Sequence, residues 1–129
     1  MNMTPEIWTS LTSAIASLPD APSWLKEQGQ LSWEAVSLLP QLDSTGDGQH
    51  ALPTAEQKLV SPDYLVFLRE QIALNTRGPD WLDLLRKRLA DLEPFVGQEL
   101  LLATFHCRPH SATLRIQPGT QELVHFEII

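Results

Sequence analysis

Residues 99–129 read ELLLATFHCRPHSATLRIQPGTQELVHFEII, and this stretch decides the fold because its apolar residues recur at about every second position. A period of two is typical of β-strands that bury one face. Turn-forming Arg-Pro-His and Pro-Gly-Thr divide the stretch into runs at 99–108, 111–117 and 121–129. We therefore predict a three-stranded antiparallel β-meander over about 98–129.

The alternation also predicts how the strands pair. Placing Phe105 opposite Leu114, and Leu114 opposite Val124, brings the apolar sets of all three strands to one face. Cys107 then points inward. The opposite face is expected to be the outer one, and it carries His106, Thr113 and His125 as one cross-strand row.

Residues 1–96 are predicted to form four to five helices. Hydroxyl residues precede three of them, at Thr4, Ser32 and Ser61, and apolar residues follow at spacings of three and four. We expect helices over about 5–17, 23–28, 33–39, 62–75 and 81–92, and a mobile loop over about 41–53. The fold class is α+β, with the helices packed on one face of the meander in a single domain, 1–129.

Charge narrows the range of partners. The chain holds 16 acidic and nine basic residues, and its net charge is −7. Such a surplus repels the phosphates of nucleic acids and anionic lipids, so we expect neither nucleic acid nor a membrane as partner. Residues 1–50 carry six of the acids and one base, which favours a protein partner with a basic surface.

The single cysteine, Cys107, allows no internal disulfide, which is typical of a reducing compartment. The first residues lack the basic and apolar segments of a leader, and no apolar run reaches the roughly 18 residues that span a bilayer. We predict a cytoplasmic protein.

Two segments contain metal-ligand residue types. His106, Cys107 and His110 are close in sequence, but neighbouring residues of a strand point to opposite faces, so a shared metal is not expected. Residues 43–50 resemble the first half of a calcium loop, but Thr54 stands where the bidentate Glu is needed. We expect no metal, no cofactor and no catalytic set.

The basic run 86–88, Arg-Lys-Arg, could read phosphate. The alternative is a solvated helix face on which these bases pair with Asp83, Asp91 and Glu93, and this is the interpretation we favour.

These observations favour a non-enzymatic acidic module that binds another protein, such as an adaptor, an assembly factor or an inhibitor or immunity protein. The last strand offers an apolar edge for a client strand or a second copy. The predicted partner-binding residues are Trp24, Glu27, Glu34, Phe126, Ile128 and Ile129. The alternative is a small enzyme or ligand-binding protein with a pocket between helices and sheet, using His50, Arg108 and His110.

Overall fold

The computed structural model describes residues 3–39, 52–107 and 109–129. Within these ranges the chain forms five α-helices, a short 3-10 helix and four β-strands. In chain order they are α1 (Pro5–Ala16), α2 (Ser23–Gly29), α3 (Trp33–Val36), β1 (Thr54–Leu59), α4 (Pro62–Leu74), α5 (Pro79–Leu92), the 3-10 helix (Glu93–Phe95), β2 (Glu99–Cys107), β3 (His110–Ile116) and β4 (Leu123–Ile128). The α+β class is confirmed, whereas most of the predicted loop 41–53 lies outside the described residues.

Side-chain caps start three of the helices where the sequence predicted. In each case a hydroxyl accepts from the free backbone N–H three residues on, which satisfies one of the unpaired donors of the first turn. The pairs are Thr4 with Ile7 at 3.2 Å, Ser32 with Ala35 at 3.2 Å and Ser61 with Tyr64 at 3.1 Å.

The sheet has four antiparallel strands in the order β1-β2-β3-β4, so the three-stranded prediction was wrong by one strand. The additional strand, β1, falls inside the part predicted to be helical, 1–96. Only one of its residues, Ala55, is buried. An exposed edge strand of this kind lacks the apolar alternation that would reveal it.

Helices cover both faces of the sheet, which corrects the prediction that they pack on one. On the first face, α1, α2 and α3 share a core with the side chains of Leu101, Ala103 and Phe105. On the second face, α4 and α5 pack around Leu100 and Val124. Consecutive apolar residues in β2 are therefore explained by a central strand buried on both sides.

The observed pairing differs from the predicted register by two residues. Leu114 lies opposite Ala103 and Phe126 rather than opposite Phe105 and Val124. A shift of two keeps each side chain on its face, so alternation alone could not exclude it. The β3–β4 ladder is also irregular between Arg115 and Ile116. This irregularity is why Val124 packs on the second face.

Candidate functional site

A group of charged side chains is enclosed between α5 and the second face of the sheet. The Oε1 atom of Glu127 accepts from Arg88 Nε at 2.7 Å and lies 2.8 Å from His125 Nε2. Arg88 Nη2 binds Oε2, and Arg115 Nη1 lies 3.4 Å from Oε1. The other imidazole nitrogen, Nδ1, lies 2.7 Å from Asp91 Oδ2. We call these five residues the ion cluster.

Local geometry explains why these residues meet. Arg88 and Asp91 are three residues apart on α5, so they share one side of that helix. His125 and Glu127 are two apart on β4 and therefore point to the same face of the sheet. Arg115 stands directly opposite His125 in the β3–β4 ladder. The ion cluster thus bridges α5 to two adjacent strands.

The electrostatics of the cluster are governed by burial and close contact. The side chains of Glu127 and His125 are 2% and 0% exposed. Burial by itself raises the pKa of Glu127, but hydrogen bonds from His125 and Arg88, with the positive charge of Arg88, lower it to about 2. Burial lowers the pKa of Arg88, but the bond and the charge of Glu127 outweigh this and raise it.

Enclosure decides what the cluster can do. An imidazole between two carboxylates has the parts of an acid–base site, but a reacting group must come within hydrogen-bond distance of the catalytic atoms. Both ring nitrogens of His125 are already bound, and the ring is buried. The arrangement therefore serves to hold α5 against β3 and β4. The predicted outer position of His125 was wrong, because α4 and α5 cover that face.

The same contacts correct the interpretation of the basic run 86–88. Lys87 behaves as predicted, since its Nζ lies 2.8 Å from Asp91 on the next turn. Arg88 does not, because its guanidinium is tied into the ion cluster rather than solvated. The sequence carried no signal for this contact, since the partner of Arg88 is Glu127, 39 positions away.

The side of α4 that faces away from the protein is a second candidate site. Its exposed apolar members include Val66, Phe67 and Leu74, which are 49%, 50% and 64% exposed. Ala73 and the acidic Asp63 and Glu70 are exposed as well. Positions 63, 66, 67, 70, 73 and 74 recur at three- and four-residue spacing and share one side of the helix. We call these six residues the outer face of α4.

The six predicted partner-binding residues are carried by three different elements. Trp24 on α2 and Phe126 on β4 are partly buried and pack against the core of the first face. Glu27 and Glu34 are exposed on α2 and α3. Ile128 and Ile129 are exposed at the end of β4, which is an edge of the sheet. The outer face of α4 was not predicted, although apolar residues on both sides of its helical wheel were a readable signal.

Three residues were named for the alternative function. His110 is exposed at the start of β3, whereas His50 and Arg108 lie outside the described residues. Cys107 pairs with His110 at the end of the ladder and is partly exposed, rather than buried as predicted. In the part of the chain that the structure describes, no three His, Cys, Asp or Glu side chains are grouped to hold a metal ion.

None of the helices within the described ranges combines the length and apolarity that a membrane crossing requires. Comparison of the chain with family models, with curated proteins and with solved structures gives no significant match.

Proposed function

We propose that this chain is a non-enzymatic protein-interaction module that binds a basic amphipathic helix of another protein through the outer face of α4. The observation that carries the proposal is the apolar side of α4 left exposed while the opposite side of the same helix is buried. Leu65 and Leu68 fill the core, whereas Phe67 and Leu74 point away from it. The exposed apolar side of α4 would be buried only by contact with a partner.

The spacing of the exposed residues suits a helical ligand. Helix-in-groove recognition uses apolar anchors at intervals of three, four and seven residues. Phe67 and Leu74 are seven apart, and so are Val66 and Ala73. Aromatic anchors such as Phe67 contribute strongly to such interfaces. A partner helix with a matching apolar stripe would pack along α4.

Charge supports the choice of a basic partner. Glu70 lies in the middle of the outer face, between its apolar residues, and Asp63 lies at the N-terminal end of this face. The whole chain carries −7. Lysine or arginine side chains flanking the partner's stripe would meet these two carboxylates, which speeds association and selects against acidic competitors. The same charges disfavour a second copy on this face, because two copies would bring four carboxylates together.

A defined peptide tests this proposal. A synthetic amphipathic helix of leucine and lysine should bind at least about tenfold more tightly than the same helix with glutamate in place of lysine. In a ¹⁵N-labelled sample, the shifted amides should map to α4. The double variant Phe67→Ser and Leu74→Gln should weaken binding by about tenfold or more, while its ¹⁵N spectrum outside α4 remains that of the folded parent chain.

Leu38 provides the matched control, since it is also exposed and apolar but lies outside α4. Leu38→Gln should leave the affinity for the lysine peptide unchanged. Equal affinity for both peptides, or shifts that map away from α4, would contradict the proposal. The proposal would also be contradicted if the parent chain sediments as a dimer and the double variant as a monomer, because the outer face of α4 would then bind a second copy.

The edge of β4 is a second surface for the same function. The strand pairs with β3, and its other side faces no described strand. An exposed apolar edge of this type accepts a strand from another chain. Ile128 and Ile129 would contribute the side-chain contacts there, as the sequence predicted.

A further inference from the structure

We propose that a cavity on the second face of the sheet binds a small organic monoanion, with a carboxylate head and a short hydrocarbon or aromatic body. The cavity measures about 350 Å³ and lies where the end of β1 and the start of α4 meet α5, β2 and β3. This volume is at the lower end of the range for small-molecule sites. The proposal is independent of the protein-binding role of α4.

The polar side chains of the cavity are all hydrogen-bond donors. They are Lys58, Ser61, Tyr64 and Arg115. Among the described residues, none of those lining the cavity is acidic, although the chain holds 16 acidic residues against nine basic ones. The cavity is therefore a basic site in an acidic protein, and it selects for an anion.

Arg115 has hydrogen-bonding capacity to spare. Its contact with Glu127 is 3.4 Å long, beyond the usual range for an N–H···O bond. Glu127 is already bound by Arg88 and His125. Within the described ranges, the Arg115 guanidinium makes no other hydrogen bond, and this side chain is 14% exposed. A bound carboxylate would accept the hydrogen bonds that the Arg115 guanidinium does not make within the protein.

The charge balance agrees with that geometry. Burial lowers the pKa of Arg115, and the positive charge of nearby Arg88 acts in the same direction, against the raising effects of Tyr64 and Glu127. One carboxylate, Glu127, thus serves two guanidinium groups. Asp91, the second carboxylate of the ion cluster, binds His125 and Lys87 instead. A bound anion would therefore supply a negative charge to Arg115.

Two hydroxyl groups in the cavity keep a hydrogen to donate. Tyr64 Oη accepts from Arg88 Nη1 at 3.1 Å, and Ser61 Oγ accepts from the Tyr64 backbone N–H at 3.1 Å. In each pair the hydroxyl oxygen is the acceptor, so its own O–H remains available. Lys58, exposed on β1, adds a mobile positive charge.

The apolar lining of the cavity favours an apolar body for the rest of the ligand. Leu92, Leu100 and Leu102 line the cavity from α5 and β2, and most of the lining surface is apolar. Burying a hydrocarbon body against them is favourable, whereas a multiply charged ion such as phosphate would lose its hydration without compensation. A guanidinium matches a carboxylate with two parallel hydrogen bonds. These features together favour a monocarboxylate.

Titration with hexanoate, hexanamide and inorganic phosphate, followed by ¹⁵N chemical shifts and calorimetry, tests the proposal. Hexanoate should bind about tenfold or more tightly than hexanamide, which has the same body without the charge, and than phosphate, which has no body. Shifts should centre on the cavity residues. Lys58→Gln and Arg115→Gln should each weaken hexanoate binding, the latter by about tenfold.

Controls separate the site from general charge effects and from folding. Arg86→Gln removes an exposed positive charge elsewhere and should leave the affinity unchanged. Leu102→Phe fills the cavity without altering charge and should abolish binding, which keeps the test valid if Arg115→Gln unfolds. Leu74→Gln, on the outer face of α4, should leave the affinity for hexanoate unchanged. Equal affinity for hexanoate and hexanamide, or equal losses in Lys58→Gln and Arg86→Gln, would overturn the proposal.

Discussion

Replacing Glu127 with Gln tests the central role of the ion cluster in stability. Gln has nearly the same shape, but it lacks the charge, and its amide would direct N–H groups at donors that now bind a carboxylate. The pKa of Glu127 lies at about 2 instead of its ordinary 4.5. That difference corresponds to about 3 kcal/mol of stabilisation of the ionised form. Breaking a buried ion pair typically costs about 3–5 kcal/mol, so we expect a loss of about that size at neutral pH.

The effect should depend on pH in a defined direction. Because the folded-state pKa is below the unfolded one, the ionised Glu127 stabilises the fold fully above about pH 4.5. This contribution is lost progressively as the pH falls from there towards 2. Glu127→Gln has no such titration. The difference in unfolding free energy between the two proteins should therefore shrink over the same interval.

Urea unfolding followed by tryptophan fluorescence measures both quantities. Glu93→Gln is the matched control, since Glu93 forms a half-exposed pair with Arg69 at 3.6 Å. Exposed pairs of this kind contribute about 0–1 kcal/mol. A loss in Glu127→Gln as small as that in Glu93→Gln, or a loss of constant size between pH 7 and 3, would refute the stabilising role of the cluster.

Two further predictions concern the helix cap and the sheet edge. Ser61→Ala should lower the unfolding free energy by about 1 kcal/mol, because it removes the acceptor for the Tyr64 N–H. Ser13→Ala, within α1, is the control. Equal stability of the two variants in urea would contradict the capping role of Ser61. Deleting Ile128 and Ile129 should lower the melting temperature, because Ile129 makes two backbone hydrogen bonds with Ser111, or should dissociate any oligomer, because both side chains are exposed. An unchanged melting temperature and unchanged sedimentation would exclude a role of these residues in stability and in association.

Local signals were sufficient for the helices. The hydroxyl caps at Thr4, Ser32 and Ser61 depend on residues three positions apart, so they can be read directly from the sequence. The strands β2, β3 and β4 were found for the same reason, because alternation is local. The edge strand β1 was missed because only Ala55 among its residues is buried.

The prediction that the helices pack on one face of the sheet was wrong because the burial of several residues depends on contacts that are distant in sequence. Leu100, Leu101 and Leu102 form an unbroken apolar run, which is typical of a strand covered on both faces. The charged residues on the second face indicated solvent instead. Glu127 could be recognised as buried only by knowing that Arg88 binds it, and that contact spans 39 positions. Arg115 in turn lies 3.4 Å from Glu127.

The ion cluster also determines how the proposed binding surface is presented. α4 packs on α5, and α5 packs on β4. Because Arg88 and Asp91 bind Glu127 and His125 at that second contact, they fix α5 relative to the sheet and therefore help to fix the position of α4. Tyr64 adds a direct link, since it bonds Arg88 and stacks with Phe67 at a centroid distance of 6.3 Å. A weakened cluster should therefore reduce partner affinity even where the exposed residues of α4 are unchanged.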